Sequence, residues 1–347
     1  MEPLLKDRNK NILHAVIKSY LEKPEPVGSK TISRKYILDL SPATIRNTMS
    51  ELEAEGFLWQ PHISAGRLPT EQAMRYYVDS ILEVEPIPMP TIRTISEGLS
   101  ETSRETDRLM KKSSKILSSV TQHIGLALSP RFLNLELKQI EFVELNSNLV
   151  LSILVSSTGT VQNRIIEVEE AVTQEELDRF NRYLNETFAG LTIEEIKEQM
   201  EWELEAEEKI SGNIPFRALA LGQLVIDELL STDELYIEGQ GRLLDYPEFS
   251  DDYRAMQNAL ETFEEKKILI DLLNKVINAQ GIKIFIGSET ELADMEGWTV
   301  IASSYSRGST PIGTIGILGP TRLDYSKIIP MVEYTARILS HTLERIN

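Results

Sequence analysis

The sequence predicts an α+β chain of several domains, with a winged helix-turn-helix at its N-terminus and, beyond it, an antiparallel-sheet domain interrupted by a mostly helical insertion. Three observations predict this. Residues 28–70 hold two short helical patterns and a glycine-containing loop; residues 137–168 and 283–318 change to strand-like patterns; and an acidic, helical stretch of roughly 189–262 lies between them.

The first helix spans about Leu4 to Leu21, and Leu5, Ile12, Leu13, Val16, Ile17 and Tyr20 supply its core face. A second begins at Ser29, turning Ile32 and Tyr36 inward and carrying Lys30, Arg34 and Lys35 toward the phosphates of a duplex. The third announces both ends: Ser41 is an N-cap residue, Pro42 suits the first helical position, and Gly56 stops the run. Ile45, Met49 and Leu52 recur at i, i+4 and i+7, which leaves Ala43, Asn47 and Ser50 opposite, flanked by Thr44 and Arg46. A small residue permits close approach to base edges, while Asn and Arg supply bidentate donors that read adenine and guanine in a major groove. Glu51, Glu53 and Glu55 crowd the second half, so only the N-terminal half can enter a groove, the docking mode of a recognition helix.

After Gly56, Phe57-Leu58-Trp59 reads as a short strand, and the loop from Pro61 to Pro69 holds Ser64-Ala65-Gly66-Arg67. Arg67 is expected to reach a phosphate or the minor groove, and His62 to be a solvated loop histidine. Gln72 to Leu82 continues as a helix. Glu85-Pro86-Ile87-Pro88-Met89-Pro90 is then a stiff spacer at the first domain boundary. Thr91 to Ile124 keeps helical spacing, and its polar middle, Thr102 to Asp107, favours a packed amphipathic connector over a coiled coil.

Leu137 to Val168 reads as three antiparallel strands with turns at Asn146-Ser147-Asn148 and Thr158-Gly159, followed by a helix from Thr173 to Phe188. Lys283–Ile286, Trp298–Tyr305 and Ile312–Leu318 read as three more strands, closed by a helix from Asp324 to Ile346. All six are expected in one sensor-like domain. The insertion carries a run of glutamates from Glu194 to Glu208, an apolar helix from Leu219 to Leu230, and a strand and turn at Leu235–Gly239. An apolar helix needs a partner, so the insertion is expected to form a subunit interface.

The chain has 347 residues, 41% of them hydrophobic, and a net charge of −18. Such acidity opposes nucleic-acid binding, but it is unevenly spread. The first 80 residues carry 11 Lys and Arg against 10 Asp and Glu, leaving 25 against 44 for the rest. The acidic part need not touch DNA, and it should weaken nonspecific binding. There is no cysteine, no long apolar run and no signal-like N-terminus, which together suggest a soluble cytoplasmic protein with no membrane partner.

No active site emerges. His14, His62, His123 and His341 lack metal-ligand spacing; Gly28-Ser29-Lys30-Thr31 lacks the upstream glycine of a phosphate loop; and Gly239-Gln240-Gly241 lacks the third glycine of a dinucleotide fingerprint. The expectation is a non-enzyme with no catalytic residue, metal or cofactor.

Residues 27–76, Tyr236-Ile237-Glu238-Gly239 with Pro247-Glu248-Phe249, and Gly316-Ile317-Leu318-Gly319-Pro320-Thr321-Arg322-Leu323-Asp324-Tyr325 resemble the bacterial heat-inducible transcription repressors of the HrcA family, nearly end to end. The resemblance implies a winged-helix domain over 1–84, a linker and connector helix over 85–124, a GAF-like domain over 125–188 and 263–347, and an inserted dimerisation domain over 189–262. It further implies a homodimer on double-stranded DNA, at an inverted repeat called CIRCE before chaperone operons, with activity modulated by the GroE chaperonin. Two recognition helices related by a two-fold axis likewise require a palindromic operator. The alternatives are a small-ligand-sensing regulator that uses its GAF-like domain, and a chaperonin-bound protein without DNA affinity.

Overall fold

The computed structural model describes residues 5–36, 40–100, 106–130, 135–157, 159–207, 214–231, 234–246, 256–257, 260–261, 263, 266–277, 279, 281–290 and 297–345. Pro247-Glu248-Phe249, Thr158 and Glu208 lie outside them, as do residues 102–105 of the polar connector turn. Helices α1 (Asp7–Glu22), α2 (Ser29–Lys35) and α3 (Pro42–Ala54) come first, then a two-stranded hairpin of β1 (Leu58–Trp59) and β2 (Leu68–Pro69), then α4 (Glu71–Ser80). Local chemistry sets these boundaries. Ser41 Oγ accepts the Thr44 backbone N–H at 3.1 Å to cap α3, and Gly56, at φ +83°, ends it. Thr70 Oγ1 accepts from Ala73 N at 3.2 Å to cap α4, and donates to Gly56 O at 2.7 Å, so α4 is tied to the end of α3. Ile12, Leu13, Val16 and Ile17 of α1 are buried with Ile32, Ile45, Met49, Leu52 and Phe57 in one core.

Beyond an extended segment, α5 (Met89–Ser100) and α6 (Thr106–Thr121) pack against each other. The amphipathic connector is therefore present as two helices. Next comes β3 (Ile124–Leu128), and the C-terminal part contributes β7 (Leu235–Glu238), α10 (Lys267–Ile277), β8 (Ile282–Ile286), β9 (Trp298–Arg307), β10 (Thr310–Pro320) and α11 (Tyr325–Arg345). These strands form an antiparallel sheet in the order β7-β3-β10-β9-β8. Helix α10 lies on one face, with Leu269, Leu273 and Val276 against Val300, Ala302 and Leu318. Helices α6 and α11 lie on the other, with Leu117, Val332 and Leu339 in the core shared with Ile301, Ile315 and Ile317. Both faces are covered, and the burial of β9 and β10 accordingly runs along each strand without alternation.

The remaining strands depart from the expectation of six in one domain. Strands β4 (Leu137–Asn146), β5 (Leu149–Ser156) and β6 (Val161–Glu167) do form the antiparallel meander, but as a separate sheet. The chain leaves the larger sheet at Leu128 and returns at Leu235, which pairs with it; Gly125 pairs with Glu238. The excursion therefore holds the meander with α7 (Gln174–Phe188), α8 (Ile193–Glu207) and α9 (Ile214–Ser231), while β7, read as part of the insertion, belongs to the larger sheet. The cause of the misplacement is Ile124-Gly125-Leu126-Ala127-Leu128, a strand buried on both sides, whose apolar run cannot be told from the end of the preceding helix by periodicity.

Thr173 and Glu176 form a capping box on α7. Phe180, Leu184 and Phe188 of this helix are buried with Ile140, Phe142, Val150 and Leu154 of the meander. Two asparagines one turn apart on α7 close the free edge of β4. Asn181 accepts from Phe142 N at 2.8 Å and donates to Phe142 O at 3.2 Å, and Asn185 accepts from Ile140 N at 2.9 Å and donates to Ile140 O at 2.7 Å. Side-chain amides thus take the place of a fourth strand, which protects an otherwise adhesive edge.

Candidate nucleic-acid interface

The burial of α3 alternates as its sequence requires. Ile45, Thr48, Met49 and Leu52 are buried, whereas Ala43, Arg46, Asn47 and Ser50 are exposed and Thr44 is half-buried. Thr44 Oγ1 lies 2.9 Å from Ser41 Oγ, so this hydroxyl takes part in the cap. Lys30 and Arg34 on α2 are exposed beside this face. Lys35 is exposed too, but forms an ion pair with Glu22 of α1, which holds its ammonium above the ordinary lysine range. Arg46 and Asn47 have no side-chain hydrogen bond or ion pair among the described residues, and they project from the capped first half of the helix.

Cations offset the acidic second half. Arg8 of α1 stands 3.5 Å from Glu51, and Arg67 of the hairpin is bonded to Glu53. Arg67 is therefore placed differently from the expectation that it extends outward. Its guanidinium is nearly buried: Nε donates to Glu53 Oε2 at 2.9 Å and one terminal nitrogen donates to Ser50 Oγ at 2.8 Å. Ser50 donates in turn to Arg46 O at 3.1 Å. The Arg67 backbone exchanges two 2.9 Å hydrogen bonds with Val27, just before α2. At the neighbouring Gly66, a side chain would overlap the Val27 backbone, so the close approach that glycine permits is made within the protein.

The hairpin loop is shaped by Gln60, whose amide donates to Ile63 O at 3.1 Å and Ala65 O at 2.7 Å. It thrusts out Ile63, which is 97% exposed, next to exposed His62 and Ser64. Nothing in the sequence marks Ile63, because an isolated apolar residue in a loop carries no periodic signal. Arranged this way, the surface offers a narrow helix face with one small residue, one amide and one guanidinium, with lysine and arginine from α2 alongside and a protruding loop beyond. Such a surface can hydrogen-bond base edges and phosphates, and its side chains include no acid–base or nucleophilic pair.

Elsewhere among the described residues, no group of His, Cys, Asp or Glu could hold a metal ion, and no helix is long and apolar enough to cross a membrane. His123 Nδ1 lies 2.6 Å from the Tyr246 hydroxyl. Burial, reinforced by the nearby Arg242 and Arg322, pushes this imidazole down to about 4.

Comparison with known proteins agrees with the motifs. The family model described as the HrcA protein C-terminal domain matches residues 107–329. The chain is 42% identical over 340 residues to the heat-inducible transcription repressor HrcA of Geobacter sulfurreducens, with 98% of each chain covered. It is 39% identical over 341 residues to the protein of that name from Syntrophobacter fumaroxidans, again with 98% of each covered, and 35% identical over 340 residues to that of Laribacter hongkongensis, covering 98% of this chain and 96% of the relative. A crystal structure described only as a hypothetical protein shares the fold, with a TM-score of 0.59 and 22% identity over 99% of this chain and 100% of the other. On the family model and on relatives that cover 98% of its length, the chain belongs to the HrcA family of heat-inducible transcription repressors.

Proposed function

We propose that the protein is a homodimeric repressor of heat-shock chaperone operons that occupies an inverted-repeat operator of the CIRCE kind and blocks transcription without chemistry of its own. The observation that carries this reading is the divided face of α3, with its core stripe buried and Arg46 and Asn47 free beside Ala43 at the capped end. In this reading residues 1–84 are a winged-helix reader and 85–124 its linker and connector. A GAF-like body is formed by β3 and the segment from 235 onward, and the insertion spans 129–234. Lys30, Arg34 and Lys35 approach phosphates; Ala43, Thr44, Arg46 and Asn47 approach bases; and Ser50 and Arg67 brace the wing.

The apolar helix expected to seek a subunit partner, α9, is instead covered within the chain by α7 and α8, with Leu219, Leu221, Val225 and Ile226 buried, so support for dimerisation comes from the outer face of the meander. Strand β5 alternates between buried residues that face α7 and half-exposed Leu149, Leu151, Ile153 and Val155. The register sets Val143 and Ile165 beside Leu151 and Val161 beside Val155, with Glu141 and Asn163 flanking Ile153 between them, and Val161 and Ile165 are exposed. A second copy is the occupant that the family implies. The acidity of the chain beyond residue 80 supports chaperone dependence, because self-repulsion weakens a compact state.

DNA footprinting of the purified protein on its own chaperone promoters tests the reading. Protection of two symmetric half-sites supports it, and no protection removes it. Adding GroE chaperonin should raise the fraction of protein able to bind without changing the bases protected; an altered footprint, or an unchanged active fraction, would remove the chaperonin from the scheme.

A further inference from the structure

Helix α4 carries two side chains one turn apart that plug into the larger sheet. Arg75 Nε donates to Glu289 Oε1 at 2.7 Å, one terminal nitrogen pairs with Glu289 Oε2 and also donates to Ile284 O at 2.6 Å, and the other lies 3.2 Å from Asp79 of α4. One turn earlier, Glu71 Oε2 accepts from Ser288 N at 3.0 Å and Ser288 Oγ at 2.7 Å. The socket is shaped within the body and against α4: Glu289 Oε2 accepts from Ile286 N at 2.9 Å, and a side chain at Gly287, whose φ is +52°, would overlap the Glu71 carboxylate. A planar guanidinium held by a carboxylate fork defines orientation as well as distance. Two such anchors on one helix fix its axis.

Helix α4 is in turn inseparable from α3, through Thr70 and through Ala73 and Met74 in the shared core. An unbroken chain of contacts therefore runs from the recognition face to the sheet. Without it, the reader would be held by residues 81–84, about 14 Å of extended chain up to the point where Glu85 N donates to Ser326 O at 2.9 Å, and by the non-directional apolar contacts of a core that Met74 and Tyr77 share with Ile286 and Ile329. Beside the joint lies an open cleft of about 680 Å³ lined by residues of α1, α4, the linker and the start of α11, which leaves room for such movement.

We propose that the clasp of Glu71 and Arg75 on Gly287-Ser288-Glu289 sets the distance and rotational phase between the two recognition helices of a dimer, and so selects the spacing between operator half-sites. The inference rests on the dimeric-repressor reading. These are positioning residues that touch no base. Adding two base pairs between half-sites moves them about 7 Å and 70° apart in phase. A clasped dimer cannot follow, and forfeits most of the gain from its second site, which is on the order of 10²–10⁴ in affinity.

The experiment compares the full-length wild type, E71A/R75A, and the body-side variant S288A/E289Q on three duplexes: the native operator, the operator with two base pairs added at its centre, and a single half-site. Wild type should lose at least about 30-fold on the lengthened operator, and both variants less than about fivefold, with half-site affinity unchanged in all three. Because the chain has no cysteine, E71C/R75A/S288C joined by a short bis-maleimide supplies a covalent clasp in place of both anchors. It should discriminate like wild type when joined and poorly when not, in the same folded protein. Variants that discriminate as wild type does would overturn the proposal. So would a variant that gains affinity for the native operator at unchanged discrimination, which would make the clasp a restraint. A wild type that ignores spacing, or protects no inverted repeat, would instead remove the dimeric reading and the proposal with it.

Discussion

Replacing Arg67 by alanine separates bracing from contact with DNA. The guanidinium bonds to a carboxylate and a hydroxyl on α3, with 11% of the Arg67 side chain and 33% of the Glu53 side chain exposed. Hydrogen bonds to charged groups contribute about 1.5–3 kcal/mol each. Partial exposure of Glu53 screens the pair, so the sum is discounted to about 2 kcal/mol. That loss should fall on the joint between hairpin and helix and be read as local opening. At a factor of ten for each 1.4 kcal/mol, amides of the β1–β2 hairpin should exchange about 30-fold faster with deuterium while those of the larger sheet are unaffected. Affinity for the operator should drop because the wing is loosened, yet the slope of log affinity against log salt should stay as in wild type. Arg46→Ala, by contrast, should flatten the slope by about 0.9 if that residue reaches a phosphate, and leave it nearly unchanged with lost sequence preference if it reads a base. Unchanged exchange in Arg67→Ala, together with a slope reduced by about 0.9, would refute the bracing argument and place Arg67 on the DNA backbone.

Three further outcomes are expected. Asn47→Ala should weaken operator binding by about 1–3 kcal/mol with no change in melting, since the amide is exposed and free; an equal loss on scrambled DNA would show that it reads no base. Ile165→Asp, on the exposed face of the meander, should shift the dimer toward monomer in sedimentation and lower operator affinity by about 10²-fold or more, whereas an intact dimer would move the interface elsewhere. His123 stays neutral in the folded protein down to about pH 4 but takes up a proton near 6.5 when unfolded. Its contribution to stability is thus complete above pH 6.5 and shrinks as pH falls toward 4. Between pH 7 and 5, wild type should lose about 2 kcal/mol that His123→Gln does not; parallel curves would show an ordinary histidine.

Features decided within a few residues were legible in the sequence. Ser41, Pro42 and Gly56 bound α3, the i, i+4, i+7 stripe separates its faces, Thr173 starts α7, and the meander has its turns where Asn146-Ser147-Asn148 and Gly159 stand. Features that depend on pairing across the chain were not. Gly125 and Glu238 are brought together by strand pairing, and nothing local in Ile124–Leu128 distinguishes a two-sided strand from a helix end. Nothing local marks Arg67 as paired, because its partners Glu53 and Ser50 stand 14 and 17 positions away on another element. The clasp joins residues more than 200 positions apart, and Gly287-Ser288-Glu289 alone resembles any polar turn.

Missing-base interference on a chaperone-promoter duplex, wild type against Asn47→Ala, tests most directly whether the first half of α3 reads DNA. In wild type, removal of single bases should abolish binding at two clusters related by a two-fold axis and facing the major groove. With Asn47→Ala, sensitivity should vanish at one symmetric pair of positions and persist at the others. Sensitivity confined to the minor groove, or unchanged at every position in the variant, would contradict recognition by this helix.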